Sequence, residues 1–138
     1  MNQDKDLADF LASTKTLAIV GLSDDPSRDS HEVGSYLQSQ GYRVIPVNPN
    51  VKTVLGRPAV SALSDITEHV DLVVVFRKPE HAAAIVDDAV EIGARGVWLQ
   101  LGISAPEAEA RARAKGLVVV SNRCLMVEHR RLLASAQI

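Results

Sequence analysis

Polar and basic residues follow each of five short apolar runs in this 138-residue chain. Each run has the length and the continuous apolar character of a strand that is buried in a parallel sheet. The carboxyl ends of parallel strands meet at one edge of the sheet, which is where open α/β proteins bind ligands. In chain order, the residues expected at this edge are Gly21, Ser23, Arg28, Ser30, Asn48, Pro49, Lys52, Arg77, Lys78, Pro79, Gln100, Gly102, Ser121, Asn122 and Arg123.

This set is rich in cations, amides and hydroxyls, and only a few carboxylates accompany it, chiefly Asp24, Asp25 and Asp29. Such a lining suits a polyanion that carries phosphate groups. The first loop also leads from a buried strand into a helical pattern near Ser30, and a helix N-terminus attracts anions through its free N–H groups and its dipole. We therefore expect a phosphate-binding edge. The alternative, that Arg28 and its neighbours are merely solvated loop residues, stays open.

The elements that must position these residues alternate along the chain. Strands are predicted at residues 17–20, 42–47, 72–76, 96–101 and 117–120, and helices at residues 4–14, 30–40, 79–92, 104–115 and 127–134. Ser104 and Glu107 have the spacing of a capping box. Residues 51–69 have a weak pattern, with one short helical turn near Ser64. The alternation predicts an α/β fold, a Rossmann-like open parallel sheet of about five strands with helices on both faces, as a single domain over residues 1–138.

Composition excludes several classes of protein. The chain is 46% hydrophobic and 23% charged, with a net charge of −2, so nothing in its overall charge favours a nucleic-acid partner. Cys124 is its single cysteine, which excludes an internal disulfide framework and fits a reducing compartment. No signal peptide and no run of about 18 apolar residues is present, so we expect a cytoplasmic protein without a membrane partner.

Two nucleotide-binding motifs are absent. The residues after Gly21 do not complete the G-x-G-x-x-G dinucleotide fingerprint, and Asn48 stands where an acidic residue would bind a ribose diol. Both differences disfavour NAD as the ligand. There is also no G-x-x-x-x-G-K-[ST] motif, which disfavours a P-loop nucleotidase.

Catalytic and metal-binding alternatives find little support. Ser23 lacks the second glycine of a G-x-S-x-G nucleophile elbow, and its loop is too long for that sharp turn. Cys124 and His129 would need to be in contact, beside a cation, to form a nucleophilic pair. The four histidines do not have metal-ligand spacing. We therefore expect neither catalytic nor metal-binding residues.

Several ordered motifs carry a family resemblance. They are AIVGLS at residues 18–23 with Pro26, Arg28 and Ser30, GYRVIPVNP at 41–49, VFR at 75–77, WLQLG at 98–102, NRCLM at 122–126, and Glu128-His129. In this order the chain resembles the small single-domain CoA-binding proteins, whose fold is similar to the N-terminal domain of the succinyl-CoA synthetase α subunit. The resemblance covers residues 11–132, nearly the whole chain.

The resemblance implies that coenzyme A, or an acyl-CoA, lies across the carboxyl edge of the sheet. It assigns the diphosphate to Gly21, Leu22, Ser23, Arg28 and Ser30. It assigns the phosphorylated ribose to Asn48, Pro49 and Lys52, and the adenine to Val75, Phe76, Arg77 and Pro79. It assigns the pantetheine arm to Gln100, Gly102 and Asn122.

The synthetase relatives carry out catalysis in a separate domain, with a phosphorylated histidine, and we expect this chain to lack that domain. The leading hypothesis is a nucleotide-binding module for CoA that regulates, senses or carries its ligand without catalysing a reaction. Two alternatives stay open: an enzyme that uses CoA or NADP with Cys124 or His129 participating, and a subunit that supplies this domain in trans to an acyl-CoA enzyme. A protein partner, if any, is not identified by the sequence.

Overall fold

A computed structural model describes residues 3–134 of the chain. Its strands, numbered along the chain, are β1 (Thr16–Val20), β2 (Arg43–Val47), β3 (Thr53–Val54), β4 (Arg57–Pro58), β5 (Leu72–Val75), β6 (Gly96–Leu99) and β7 (Val118–Val120). Its α-helices are α1 (Gln3–Ser13), α2 (Asp29–Ser39), α3 (Pro79–Glu91), α4 (Pro106–Ala114) and α5 (Leu125–His129), and a π-helical turn, Arg130–Ala134, follows α5.

Five strands form one parallel sheet in the order β2-β1-β5-β6-β7. Helices cover both faces of this sheet, and the side chains of each strand point alternately to one face and to the other. In β1, Leu17 and Ile19 pack with α1, α2 and α5, whereas Ala18 and Val20 pack with α3 and α4. The two cores explain why the strand sequences are continuously apolar. The predicted Rossmann-like α/β fold is confirmed.

The strand order reverses between β1 and β5. The chain passes from β1 through α2 to β2 at one edge, and then returns to the other side of β1 to form β5. Val20 and Val75, the last residues of β1 and β5, are direct neighbours in the sheet. Loops that leave these two strands must diverge, so the crevice between them is the position at which this fold class binds ligands.

Two local predictions differ from the structure. Residues 51–69 contain the antiparallel pair β3–β4, which turns through Leu55 and Gly56 at φ values of 54° and 75°; the expected turn near Ser64 is present as a 3₁₀ helix at Leu63–Asp65. The predicted capping box is wrong, because α4 begins at Pro106 with Ala105 as its N-cap. The Ala105 N–H donates to Glu109 Oε2 at 2.7 Å, and Glu109 is buried.

The amino edge of the sheet holds a buried histidine. His129 Nδ1 lies 2.7 Å from Tyr36 Oη, and its ring packs edge-on against Tyr36 and Tyr42, with centroids 5.4 and 5.5 Å away. Tyr42 Oη in turn donates to the carbonyl of Leu11 at 2.7 Å. Burial lowers the pKa of His129 and raises the pKa of Tyr42 to about 12. These contacts fix α5 against α1 and α2.

Acid should therefore destabilise the protein through His129. In the unfolded chain His129 takes up a proton near its ordinary pKa of 6.5, whereas in the folded protein it does so at a lower pH. Between these two pH values the unfolded chain binds more protons than the folded protein. The free energy of unfolding therefore falls as the pH drops from 6.5 towards the lowered pKa. Urea unfolding from pH 7.5 to 5 should show this slope, and His129→Gln should flatten it. His81→Gln, which removes an exposed imidazole, is the matched control for the loss of a histidine. An unaltered slope in the His129 variant would contradict the assignment.

Candidate functional site

The loops after β1 and β5 come into close contact at the point where the strand order reverses. Gly21 follows β1 with φ +88°, and a Cβ at this position would collide with the carbonyl oxygen of Phe76, the first residue after β5. The same Cβ would lie 3.1 Å from Cδ of Arg77. Only glycine fits here, because the left-handed conformation and the lack of space both exclude a side chain.

The loop from β1 to α2 is braced by its own side chains. The Ser23 N–H donates to Ser30 Oγ at 3.0 Å, and the N–H and hydroxyl of Ser27 donate to Asp25 Oδ1 at 2.9 and 2.8 Å. The hydrogen bonds from Ser27 hold the pKa of Asp25 below its ordinary value. Arg28, the N-cap residue of α2, has extended backbone and an exposed side chain.

A cavity of about 500 Å³ opens over this loop. We call it the loop cavity; it is lined by Gly21, Ser23, Ser27, Arg28, Asp29, Ser30 and Phe76. The first N–H groups of α2, an 11-residue helix, have no acceptor within the helix, so they attract an anion here. The Asp29 carboxylate in the same turn opposes that attraction, whereas the Arg28 guanidinium reinforces it.

Two further cavities lie at the same edge, one on each face of the sheet. The α2-face cavity, of about 560 Å³, lies between the start of α2 and α5, and the α3-face cavity, of about 330 Å³, lies beside α3. Arg77 lines both cavities, and Phe76 lines both the α2-face cavity and the loop cavity. The three cavities are therefore connected through Phe76 and Arg77, the two residues whose atoms lie nearest to Gly21.

Arg28 and Arg77 carry charges without partners. Within residues 3–134 neither guanidinium makes an ion pair, whereas Arg43, Arg95 and Arg111 pair with Glu68, Asp71 and Asp87. Arg77 Cδ lies 3.1 Å from the position that a Cβ of Gly21 would take, and Arg28 lines the loop cavity together with Gly21. An anion bound beside Gly21 would therefore lie near both positive charges.

Gln100, directly after β6, has a buried amide group without a partner. The residue is 5% exposed and lines the α2-face cavity, and its Nε2 makes no hydrogen bond. Leaving a buried donor unsatisfied costs about 1–3 kcal/mol. An orphan donor that lines a cavity therefore indicates a ligand that would accept a hydrogen bond from it.

The structure brings most of the sequence-predicted residues together around these cavities. The loop cavity contains Gly21, Ser23, Arg28 and Ser30; the α2-face cavity contains Phe76, Arg77, Pro79, Gln100 and Gly102; and the α3-face cavity contains Pro49 together with Arg77.

The remaining predicted residues lie elsewhere. The side chains of Leu22 and Val75 are fully buried in the two cores, and Lys52 is exposed and lines none of the three cavities. Asn48 braces the site, since its Nδ2 donates to the Leu22 carbonyl at 3.1 Å. Asn122 Oδ1 similarly accepts the Gly102 N–H at 2.7 Å. Ligand contacts by these five residues, like those by the residues that line the cavities, stay predictions.

The sequence did not indicate several lining residues. Ile103, Met126 and Val127 line the α2-face cavity, and Ser61 and Ile85 line the α3-face cavity. Met126 belongs to the NRCLM motif that follows β7, and its position after a strand could have indicated that it lies at the binding edge. Ser61 lies in a weakly patterned segment, where no signal was available.

Cys124 and His129 lie at opposite edges of the sheet. Cys124 lines the α2-face cavity, whereas His129 lines a cavity at the amino edge together with Thr14 and Gly41. The two side chains therefore do not form a nucleophile–base pair in this arrangement. Among residues 3–134, no three side chains are grouped to hold a metal ion, and no helix is long and apolar enough to cross a membrane.

Fold and site together define an open α/β protein with a polar loop and a helix N-terminus at its switch point. The chain belongs to the CoA binding domain family, which it matches over residues 15–130. It is 38% identical over 124 residues to the uncharacterized protein YneT of Bacillus subtilis (strain 168), an alignment that covers 90% of this chain and 92% of YneT.

Two further similarities support this membership. The structure of a protein from Thermus thermophilus, cell-free ID.343, superposes with a TM-score of 0.90 at 44% identity and covers 96% of this chain and 100% of that one. The α subunit of acetate–CoA ligase [ADP-forming] II from Pyrococcus furiosus is 26% identical over 119 residues, which cover 85% of this chain and 26% of that subunit.

Replacing Gly21 should test the close approach at the switch point. Gly41 is the matched control, because its φ is +95° and a Cβ there would meet nothing within 4 Å. Gly41→Ala should lower the free energy of unfolding by about 1–2 kcal/mol through backbone strain alone. Gly21→Ala should lower it by a further ~1–3 kcal/mol, because the Phe76 carbonyl must move. Equal losses of unfolding free energy in the two variants, measured by urea unfolding, would show that the contact between Gly21 and the Phe76 carbonyl does not exclude a side chain.

Proposed function

We propose that this protein binds coenzyme A or an acyl-CoA at the carboxyl edge of the sheet, as a binding or regulatory module that has no reaction of its own. The observation that carries the proposal is the position of Arg28 and Arg77, two guanidinium groups without an ion pair among residues 3–134, of which the first shares the loop cavity with Gly21 and the second lies against Gly21 at the switch point. Membership of the CoA binding domain family supports the choice of ligand.

In this proposal the loop cavity holds the diphosphate. Gly21 lets the backbone approach the phosphate oxygens, while Ser23 and Ser30 keep the loop in place through their hydrogen bond. The free N–H groups at the start of α2 and the Arg28 guanidinium donate to the phosphates. Asp25 stays ionised and directs its oxygen to Ser27, which keeps the loop closed upon itself.

The two ends of the ligand would then leave the loop cavity in opposite directions. The nucleoside enters the α3-face cavity, where Pro49, Ile85 and the stem of Arg77 offer flat apolar surface. The pantetheine arm enters the α2-face cavity, past Phe76 and towards Gln100. Lys52 contacts the phosphorylated ribose only if its exposed side chain reaches over the edge of the α3-face cavity.

The end of β2 favours CoA over NAD. A carboxylate at this position would bind the ribose diol of NAD, but this chain has Asn48 there. The Asn48 amide is already engaged, since its Nδ2 donates to the Leu22 carbonyl and its Oδ1 accepts the Asn50 N–H at 2.9 Å. A diol would therefore meet neither a carboxylate nor a free amide.

The separation of Cys124 from His129 supports a binding role over an enzyme that uses this pair. A second candidate function is a domain supplied in trans to a larger acyl-CoA enzyme. It is favoured by the similarity to the ligase α subunit, of which this chain covers 26%. Co-purification with a synthetase-like protein in equimolar amounts would support the second candidate.

Ligand-induced stabilisation tests the proposal. Coenzyme A should raise the melting temperature, because it binds the native state and not the unfolded chain. NAD at the same concentration should leave the melting temperature unchanged, because the edge lacks the dinucleotide fingerprint. Differential scanning fluorimetry measures both. Equal shifts with the two ligands, or no shift with CoA, would overturn the assignment.

The Arg28 guanidinium should contribute directly to binding. Arg28→Ala should weaken CoA binding by about 1.5–3 kcal/mol, the contribution of a hydrogen bond to a charged group. Lys115→Ala is the matched control, because it removes an exposed positive charge at the far end of α4. It should leave the dissociation constant, measured by calorimetry, nearly unaltered. Equal effects of the two variants would remove Arg28 from the site.

A further inference from the structure

The α2-face cavity combines an apolar wall with a single buried hydrogen-bond donor. Phe76, Leu101, Ile103, Met126 and Val127 supply much of its lining. Of its charged residues, Asp29, Glu32 and Lys78 are exposed and belong to its mouth, whereas Arg77 is half-buried on the side of the loop after β5. A ligand that fills this cavity has to be mostly apolar, with a polar group where the Gln100 amide lies.

Two of the lining residues are exposed although they are large and apolar. Leu101 and Val127 are 67% and 55% exposed, and they are the large hydrophobic residues that stand out in this way among residues 3–134. Leu101 belongs to the loop after β6, and Val127 belongs to α5. Two separate elements therefore place exposed apolar side chains at the rim of the same cavity. Exposed apolar surface beside a cavity is typical of a binding site.

The Gln100 amide is the polar counterpart. Its Nε2 is buried without a partner although the residue is held firmly, since its carbonyl accepts the Ile103 N–H at 3.0 Å. A carbonyl oxygen attached to a hydrocarbon chain satisfies both features at once. The oxygen accepts from Nε2, and the chain covers the apolar wall.

We infer that the α2-face cavity binds the acyl group of a CoA thioester, with the Gln100 Nε2 donating to the thioester carbonyl and the acyl chain lying between Leu101 and Val127. This inference rests on the proposed function and narrows it from CoA in general to acyl-CoA. The continuity of the cavities supports it, because Phe76 lines both the loop cavity and the α2-face cavity.

The pantetheine arm fits the inner wall less well than an acyl group does. The arm contains two amides, each with an N–H donor and a carbonyl acceptor, whereas the buried side chains of this wall leave one donor unsatisfied. A thioester brings one acceptor and no donor. The thioester oxygen would accept from the Gln100 Nε2, and the acyl chain would lie against the apolar wall. No buried polar group would then be left unpaired.

The first test is the dependence of affinity on chain length. Calorimetry with CoA, acetyl-CoA, butyryl-CoA and octanoyl-CoA should show dissociation constants that fall by up to about fourfold for each methylene that leaves water. Leu101→Ser should reduce the gain in affinity per methylene, which is read as the slope of affinity against chain length and is therefore independent of any effect of the variant on the CoA moiety. Leu101→Met, which keeps an apolar side chain of similar size, should retain the gain.

The second test isolates the carbonyl group. S-octyl-CoA lacks the carbonyl oxygen of octanoyl-CoA, so the wild-type protein should bind octanoyl-CoA more tightly, by roughly two- to twelvefold, the range that one net hydrogen bond gives. Gln100→Leu keeps the shape of the side chain but removes the donor, and it should abolish this preference. Its melting temperature without ligand serves as the control for folding.

The outcomes separate this inference from the proposed function. Tight binding of CoA with no dependence on chain length would overturn the inference and leave the proposed function standing. An equal effect of Gln100→Leu on CoA and on octanoyl-CoA would assign the amide to the arm and also overturn it. Self-association that Leu101→Ser abolishes, without any chain-length effect, would assign the rim to a second copy of the chain. If no CoA compound binds, both proposals fail.

Discussion

The contact between Gly21 and the carbonyl of Phe76 is the constraint on which the rest of the site depends. It joins the ends of β1 and β5, the two strands between which the strand order reverses. Because a side chain cannot fit there, the backbone itself forms the floor of the crevice, and a ligand can lie against it. Arg77 lies against Gly21, and Arg28 lines the same cavity as Gly21, so two guanidinium groups that make no ion pair among residues 3–134 lie near this floor.

The polar groups around this floor fall into two kinds. Ser30, Asn48 and Asn122 use their side chains to hold loops, through bonds to backbone groups at 3.0, 3.1 and 2.7 Å. Within residues 3–134 the guanidinium groups of Arg28 and Arg77 make no ion pair, unlike those of Arg43, Arg95 and Arg111, and the Gln100 Nε2 makes no hydrogen bond. The first kind makes the site rigid before a ligand arrives, so less conformational entropy is lost on binding. The second kind is left to recognise the ligand.

The sequence predicted the sheet well because its strands are buried on both faces. Continuous apolar runs such as Leu72–Val75 are typical of that environment alone. It predicted β3 and β4 poorly, since two-residue strands show no period, and it assigned the wrong cap to α4, since Pro106 moves the helix start. For the site, position after a strand located Arg28 and Gln100 but could not separate ligand-facing side chains from braces. That distinction depends on hydrogen bonds between distant residues, as with Asn48 and Leu22.

Chemical-shift mapping tests the central claim, that the ligand lies across the switch point, most directly. In ¹H–¹⁵N spectra recorded during a titration with coenzyme A, the account predicts the largest changes at the amides of residues 21–25, 27–30, 76–78 and 100–102. It predicts almost none at Gly41, Gly93 and Gly116, which lie at the opposite edge of the sheet. Changes that cluster around Gly41 and His129, with the loop after β1 unaffected, would contradict it.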